Sequence, residues 1–236
     1  MTAEANEKAA IALLTRAVTL DHACRFTESF NCYTEGTQLL MEAIKGMTDR
    51  AKIDGFRAKA NTYLTRAEQI KVHIATEKQK GRYTEHLDIQ QDATGFSYNS
   101  VLGRFLGADV AWAHVEDPYI KKHHQCMNFL RLCELLVLKC TQLKEIRLVT
   151  TAGDEERTRK LTDLTNNLKS RGVTLSVTFS TTLHDRQIRL SNGWVVKIGR
   201  GLDYFKGPEG QMSLGYFDLD LRPCLQTTVD IFYDKK

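Results

Sequence analysis

The sequence predicts a multidomain α plus α/β protein, in which an antiparallel three-helix bundle precedes a mixed β-sheet flanked by helices. Two patterns predict it: residues 5–80 show only helical periodicity, whereas helix-like and strand-like segments alternate after residue 110. The 236 residues, 42% of them hydrophobic, suffice for two hydrophobic cores. We therefore place the bundle in residues 1–82 and the α/β domain in residues 83–236.

Apolar residues that recur every three or four positions predict the helices of the bundle. Gly46 is expected to end the second helix, and Thr48 or Asp49 to cap the third. Connections this short favour antiparallel neighbours. The three stripes expected to face the core are Ala10, Leu13, Ala17, Leu20 and Cys24; Phe26, Phe30, Tyr33, Thr37, Leu40 and Ile44; and Ala60, Tyr63, Ala67, Ile70 and Ile74.

The α/β domain is predicted to follow a charged linker that ends at Gly81 and Arg82. Strands that alternate with helices favour a mostly parallel sheet, and the short strands after Gly172 can complete it in antiparallel fashion. The strands are expected at 110–115, 146–150, 173–179, 187–190, 194–198 and 226–232, and the helices at 123–138 and 154–172.

Charge and cysteine content exclude several classes of protein. The formal net charge of only +4 is small for a dedicated nucleic-acid-binding protein, so no nucleic-acid partner is expected. None of the six cysteines forms a C-x-x-C pair, and Cys126, Cys133 and Cys140 share one predicted helix face, which is typical of buried thiols. We expect a cytoplasmic protein that binds no metal and no cofactor, and no segment is apolar enough to span a bilayer.

The first candidate site lies on the third helix. The buried stripe is complete without Leu64, which is rotated about 100° from Tyr63. Glu68 follows one turn later on the same face. An apolar residue beside an acid is suited to a partner helix that carries leucine and arginine. The alternative is an incidental exposed leucine.

The run from Tyr63 to Lys71, YLTRAEQIK, resembles the third helix of MIT (microtubule-interacting and transport) domains. The spacings Ala17-Val18-x-Leu20-Asp21 and Tyr33-x-x-Gly36 are similar to that family as well, so the resemblance covers residues 5–80. It implies that C-terminal helices of ESCRT-III subunits bind beside this helix, with Leu64 lining the pocket and Glu68 pairing with a ligand arginine. Asn61 and Lys71 complete the peptide-binding residues that we predict.

The second candidate site combines His184-Asp185-Arg186 with Asp117-Pro118-Tyr119 and Gly199-Arg200-Gly201. A histidine next to an arginine can act as a nucleophile beside a phosphate clamp. The motifs and the strand order resemble the phospholipase D superfamily, whose signature is H-x-K-x(4)-D. Arg186 stands at the lysine position and Ser191 at the aspartate position, and one copy occurs where an active site needs two.

We therefore expect no catalytic residue in this chain. Two interpretations of the second site remain besides an active enzyme: an anion-binding cleft that has lost catalysis, and a polar network with a structural role. The runner-up function is a phospholipase D-type phosphodiesterase whose active site is shared across a dimer.

Basic residues near this cleft are predicted to contact membranes or phosphate groups. Each lysine or arginine near an anionic bilayer contributes about 1 kcal/mol. Tyr204 and Phe205 are expected to rest at the membrane interface. A merely solvated basic surface is the alternative. The predicted residues are Lys121, Lys122, His184, Arg186, Arg189, Lys197, Arg200 and Lys206.

An MIT bundle followed directly by a phospholipase D-like domain resembles a single family, and the run from Asn192 to Phe205, NGWVVKIGRGLDYF, carries much of that resemblance. The resemblance implies an ESCRT-III-binding adaptor that acts in abscission, the last step of cytokinesis. It also implies a C-terminal domain that is catalytically silent, forms a homodimer and binds anionic or phosphoinositide membranes. The expected location is peripheral, on late endosomes and at the midbody.

Overall fold

The structure, a computed structural model, describes residues 3–80 and 83–234. The chain divides into two compact units, which comprise residues 1–85 and 86–236. The linker predicted at Gly81 and Arg82 lies outside the described residues. The domain boundary between residues 82 and 83 therefore stays a prediction.

Three helices form the first unit, as predicted. They are α1 (Ala3–His22), α2 (Phe26–Lys45) and α3 (Arg50–Gln79). Gly46 follows the last residue of α2, and the Asp49 carboxylate caps α3 by accepting hydrogen bonds from the N–H groups of Ala51 and Lys52.

The core of the bundle follows the three predicted stripes with one exception. Ala17, Leu40 and Ile70 are buried, as the periodicity requires. Cys24 is exposed and has a φ of 57°, because α1 already ends at His22 and the chain then leaves the helical register. The prediction that Cys24 faces the core is therefore wrong.

The second unit is built on a mixed seven-stranded sheet with the order β1-β7-β6-β5-β2-β3-β4. β2 runs parallel to β3, and β3 to β4, whereas β5, β6 and β7 join the sheet through antiparallel pairs. The strands are β1 (Thr84–Ile89), β2 (Trp112–Glu116), β3 (Glu145–Thr150), β4 (Thr174–Phe179), β5 (Gln187–Leu190), β6 (Trp194–Ile198) and β7 (Thr227–Tyr233).

Three helices accompany these strands: α4 (Tyr98–Leu102), α5 (His123–Lys139) and α6 (Glu155–Ser170). α5 buries Cys126, Cys133 and Phe129, and Cys140 just after it is buried too, which confirms the interpretation of the cysteines. Among the described residues, no helix combines the length and the apolar character that crossing a bilayer requires.

Two features of the second unit differ from the sequence prediction. The sheet is not mostly parallel, because the parallel pairs are confined to β2, β3 and β4. Neither β1 nor α4 was predicted. β1 has charged and polar residues at every exposed position, so it continues the charged segment before it without a clear break. α4 has five residues, too few for a helical period to be recognised.

Candidate functional site

The four residues predicted to bind a peptide lie on one exposed face of α3. Asn61, Leu64, Glu68 and Lys71 are separated by three or four positions, which places them on one side of a helix. All four are exposed, and 47% of the Leu64 surface is accessible. The Lys71 ammonium lies 3.5 Å from a Glu68 carboxylate oxygen, so this pair is loosely held at the surface.

The flank of α3 that carries Leu64 is turned away from α1. Arg66 lies about 200° around the helix from Leu64, and its guanidinium donates hydrogen bonds of 2.7 and 2.8 Å to the Asp21 carboxylate on α1. The hydrogen bond from Arg66 holds the pKa of Asp21 below its ordinary value. Arg66 thus joins α3 to α1 on a different side of the helix from Leu64, whose side chain is itself exposed.

The second candidate site is a small cavity at the ends of β5 and β6. Three of the predicted basic residues, His184, Arg186 and Lys197, line this cavity of about 190 Å³. The antiparallel pairing of Gln187 with Lys197 brings the two strand ends together. Arg186 is held on two sides, because it donates a hydrogen bond to the Gly199 carbonyl and its guanidinium carbon lies 4.5 Å from the centre of the Tyr119 ring.

Asp117 anchors the loop beside this cavity rather than facing solvent. Its carboxylate accepts hydrogen bonds of 2.9 Å from the N–H groups of Leu202 and Tyr119. Burial raises the pKa of Asp117. Gly201 has a φ of +65°, and a Cβ there would lie 2.2 Å from a carboxylate oxygen of Asp117, so only glycine fits.

Ser191, at the aspartate position of the phospholipase D signature, is engaged by the backbone. Its hydroxyl accepts a hydrogen bond of 2.7 Å from the N–H of Ala111. Ser191 follows β5, whereas His184 precedes it, so the two positions lie at opposite ends of the strand. The residues that depart from the signature therefore have structural contacts of their own.

The remaining predicted basic residues do not join His184, Arg186 and Lys197 in one patch. Lys121 and Lys122 line a separate cavity with Arg157 and Lys160. Arg189 forms a 3.0 Å ion pair with Asp234, and Lys206 pairs with Asp92. Arg200 is exposed, and its backbone N–H donates a hydrogen bond to the Thr227 hydroxyl.

One prediction about aromatic side chains is wrong, and the exposed apolar residues lie elsewhere. Tyr204 and Phe205 are buried, and the Tyr204 hydroxyl donates a hydrogen bond of 2.8 Å to Phe96, so neither ring rests at a membrane interface. Exposed apolar side chains lie instead in the following loop, at Met212, Leu214 and Phe217. Isolated apolar residues in a glycine-rich segment give no periodic signal that predicts exposure.

Potential metal ligands do not cluster in the described part of the chain, where no group of three or more histidine, cysteine, aspartate or glutamate side chains is placed to hold an ion. His124 contacts Asp203 at 3.2 Å, and the Asp203 carboxylate also accepts hydrogen bonds from the side-chain amides of Gln125 and Asn128. These contacts tie α5 to the loop that follows β6.

Comparisons with known proteins match both units. Residues 7–72 match the MIT (microtubule interacting and transport) domain. Residues 95–233 match the family described as the phospholipase D-like domain at the C-terminus of MIT. The chain is 44% identical to MIT domain-containing protein 1 of Mus musculus over 236 residues, which cover 98% of this chain and 95% of that protein. The chain therefore belongs to the family of MIT domain-containing protein 1, in which an MIT domain precedes a phospholipase D-like domain.

Proposed function

We propose that this protein is an ESCRT-III-binding adaptor that acts at membranes during abscission in cytokinesis. The MIT domain binds C-terminal helices of ESCRT-III subunits through the face formed by Asn61, Leu64, Glu68 and Lys71. The phospholipase D-like domain binds anionic lipids and forms a homodimer, without catalysis. The protein then works at the cytoplasmic surface of late endosomes and at the midbody.

The exposed Leu64 is the observation that carries this proposal. An exposed leucine that lies off the core stripe and beside a carboxylate is suited to an amphipathic helix with apolar and basic residues. The flank can receive such a helix because the Leu64 side chain is exposed, and the ion pair of Arg66 with Asp21 lies on a different side of α3. Two weak sites on one chain raise each other's effective concentration, and a dimer doubles the number of sites.

Titration of ESCRT-III C-terminal peptides into the full chain tests the peptide site. Leu64→Asp places a carboxylate against the apolar anchor of the ligand, and an uncompensated buried charge costs several kcal/mol. Since each 1.4 kcal/mol is tenfold in affinity, micromolar binding is expected to become undetectable. Ile11→Asp is the matched control, because Ile11 on α1 is 51% exposed and lies outside this face.

Unchanged affinity in a folded Leu64→Asp variant, or an equal loss in Ile11→Asp, would show that the partner does not bind on this face. Glu68→Lys is expected to reduce the affinity less than Leu64→Asp, because exposed ion pairs contribute roughly 0–1 kcal/mol. Circular dichroism of each variant reports whether the helices remain folded.

Membrane binding is supported by exposed cations that form no ion pair with a residue the structure describes, although the Lys197 ammonium lies 5.8 Å from the centre of the Phe232 ring. Reversal of charge at Lys121, Lys122, Lys197 and Arg200 to glutamate is expected to abolish flotation with anionic liposomes. Arg186 and Arg189 are left intact, because both hold structural contacts. The matched control reverses four exposed cations elsewhere on the domain: Lys139, Lys144, Lys169 and Arg171.

Two results would contradict the proposal that these four cations bind the membrane through their charge. Equal loss of flotation in both sets would mean that total charge, not these positions, determines binding. Flotation that is insensitive to added salt would also contradict it, since screening acts over about 8 Å at physiological ionic strength. In that case Met212, Leu214 and Phe217 are the residues to replace with serine, because their apolar side chains are exposed in the loop that follows Phe205.

The absence of catalysis is part of the proposal and has its own test. Arg186 and Ser191 stand where the signature has lysine and aspartate, and each makes a hydrogen bond to the backbone, which supports a structural role for both. We expect no hydrolysis of phosphatidylcholine or DNA by the purified protein. Turnover that disappears in His184→Ala would instead support the phosphodiesterase shared across a dimer.

A further inference from the structure

His86 lies between two carboxylates at one edge of the seven-stranded sheet. Its Nδ1 is 2.6 Å from a carboxylate oxygen of Asp230 on β7, and its Nε2 is 3.2 Å from a carboxylate oxygen of Asp88 on its own strand, β1. We call these three residues the His86 clamp. They belong neither to the peptide-binding face of α3 nor to the phospholipase D motif, and the contact with Asp230 joins β1 to its neighbour in the sheet.

The geometry of the clamp requires a doubly protonated ring. An ionised carboxylate only accepts hydrogen bonds, so each ring nitrogen needs a proton to bond its partner. A neutral imidazole has one N–H group, whereas the imidazolium has two. Among the histidines that the structure describes, His86 is the one with a carboxylate at both ring nitrogens, since His124 contacts Asp203 through Nε2 alone.

The two carboxylates also make the clamp sensitive to pH. The hydrogen bond to Asp230 is the main cause that raises the pKa of His86 above its ordinary value of 6.5, and the bond to Asp88 adds to it. The contribution of the imidazolium is therefore fully present below the pKa of the unfolded state. It is lost as the pH rises through the raised pKa of the folded state. Above that pH, two carboxylates on different strands face each other across a neutral ring.

The strand that carries His86 has little other support from the sheet. In the described part of the chain, β1 has one neighbour in the sheet order, β7. Leu87 and Ile89 are buried on the other face of β1, so loss of the clamp loosens the strand without releasing it completely. Because β1 is the first strand after the three helices, this loosening also frees the segment through which the chain passes from the first unit to the second.

Three further charged or titratable groups lie near the clamp. Lys197 on β6 is opposite Asp230 in the antiparallel register, so its ammonium group attracts the same carboxylate. His184 and Asp185 line the cavity that Asp230 and Lys197 also line. Histidine is the side chain that ordinarily changes its charge near neutral pH, so His184 needs a control of its own.

We propose that His86 is a pH-sensitive clamp of the sheet edge, which as an imidazolium bridges Asp88 and Asp230 and holds β1 against β7, and which loosens β1 when it loses its proton. Hydrogen bonds between ionised groups are roughly twice as strong as neutral ones, so the protonated clamp is the tighter state. The clamp requires no peptide, membrane or second copy of the chain. Its tests therefore neither support nor contradict the function proposed above.

Titration of the full chain, followed by NMR of the histidine Cε1 protons, tests the protonation state. The signal of His86 is identified by its absence in His86→Gln, and its midpoint is expected above 6.5. Asp230→Asn is expected to lower the midpoint more than Asp88→Asn, because its contact is the shorter one. Asp163→Asn removes an exposed carboxylate on α6 and is expected to leave the midpoint unchanged. A midpoint at or below 6.5, or one that Asp230→Asn does not lower, would overturn the proposal.

Hydrogen exchange of the β1 amides, compared between wild type and His86→Gln at each pH, tests the loosening. The intrinsic exchange rate depends on pH equally in both proteins, so the ratio of their rates isolates the clamp. At about pH 5.5 the variant is expected to exchange about threefold faster than wild type, and at about pH 8.5 the two rates are expected to converge. His86→Lys keeps a cation at both pH values, so its β1 amides are expected to exchange more slowly than those of wild type at about pH 8.5.

Two controls separate the clamp from a general effect of pH. β4 lies at the opposite end of the sheet order from β1, so its exchange is expected to be the same in wild type and His86→Gln at both pH values. His184→Gln is expected to leave the pH dependence of β1 exchange unchanged. A ratio for β1 that does not vary with pH, an equal change in β4, or loss of the pH dependence in His184→Gln would overturn the proposal.

Discussion

The candidate binding residues of the first unit lie within residues 61–71 of a single helix, whereas those of the second unit come from strand ends and loops that are far apart in the chain. Leu64 and Glu68 are neighbours because one helical turn separates them. Arg186 contacts Tyr119 because β5 pairs with β2, although 67 positions separate the two residues in the sequence.

This difference decides what holds each site in place. The helical face needs only α3 and its packing against the bundle. The cavities of the second unit need long-range hydrogen bonds, of which those accepted by Asp117 from Leu202 and Tyr119 are the clearest. Substitutions at Asp117 and at the helix contacts therefore test the comparison directly.

The largest effect is expected for Asp117→Ala. It removes the acceptor of two backbone N–H groups, and each unsatisfied buried group costs about 1–3 kcal/mol. We expect the free energy of unfolding of the second unit to fall by about 2–4 kcal/mol. Urea denaturation followed by tryptophan fluorescence measures it, since both tryptophans lie in this unit.

Asp163→Ala serves as the control for this substitution, because Asp163 is an exposed carboxylate on α6 of the same unit. It is expected to change the unfolding free energy by less than about 0.5 kcal/mol. Equal effects of the two substitutions would mean that the loop is not held by Asp117.

Replacement of glycine by valine is expected to have opposite effects on stability at two positions of the first unit. A Cβ on Gly36 would lie 2.9 Å from Cγ of Leu14, at the close approach of α2 and α1, whereas a Cβ on Gly55 meets nothing within 4 Å. Gly36→Val is expected to destabilise the bundle by about 1–3 kcal/mol through overpacking. Gly55→Val is expected to be neutral or slightly stabilising.

Urea denaturation followed by circular dichroism measures both glycine variants, with the tryptophan transition as a reference for the second unit. Equal stability of the two variants would contradict the close packing of α1 on α2.

The smallest effect concerns pH. The hydrogen bond from Arg66 lowers the pKa of Asp21 from its ordinary value of 3.8. The contribution of the ionised Asp21 carboxylate to the free energy of unfolding is therefore fully present above the pKa of the unfolded state. It is lost as the pH falls through the lower pKa of the folded state. We expect Asp21→Asn to cost up to about 1 kcal/mol at pH 7, because the pair is partly exposed. The cost should shrink as the pH falls below 3.8, the ordinary pKa of the carboxyl group.

Denaturation of wild type and Asp21→Asn at several pH values checks this window, with Asp54→Asn as the control. Asp54 pairs with Arg57 at 3.8 Å, and both side chains are exposed. A difference between Asp21→Asn and wild type that persists unchanged at pH 2 would contradict an ionic origin.

The sequence predicted the first unit well because its contacts repeat with the helical period. Tyr63, Ala67 and Ile70 were assigned to the core and Leu64 to the surface from spacing alone, and their burial agrees. The prediction that Cys24 lies in the core was wrong because α1 ends at His22, and the apolar spacing does not reveal where a helix ends.

Most strands and helices of the second unit were predictable from the sequence, but which strands lie next to each other in the sheet was less so. The strand order places β5 beside β2 and β7 beside β6, so the basic residues divide among separate sites. The burial of Arg157 and of Tyr204 also depends on tertiary contacts with Thr151 and Phe96. Spacing along the chain carries no information about such contacts.

The central claim is that one chain joins an ESCRT-III helix to an anionic membrane, and recruitment of a fluorescent ESCRT-III C-terminal peptide to liposomes tests it most directly. The full chain is expected to carry the peptide to anionic liposomes and not to neutral ones. Leu64→Asp should abolish peptide recruitment while the protein itself still floats. Peptide recruitment that survives Leu64→Asp, or that needs no anionic lipid, would contradict the account.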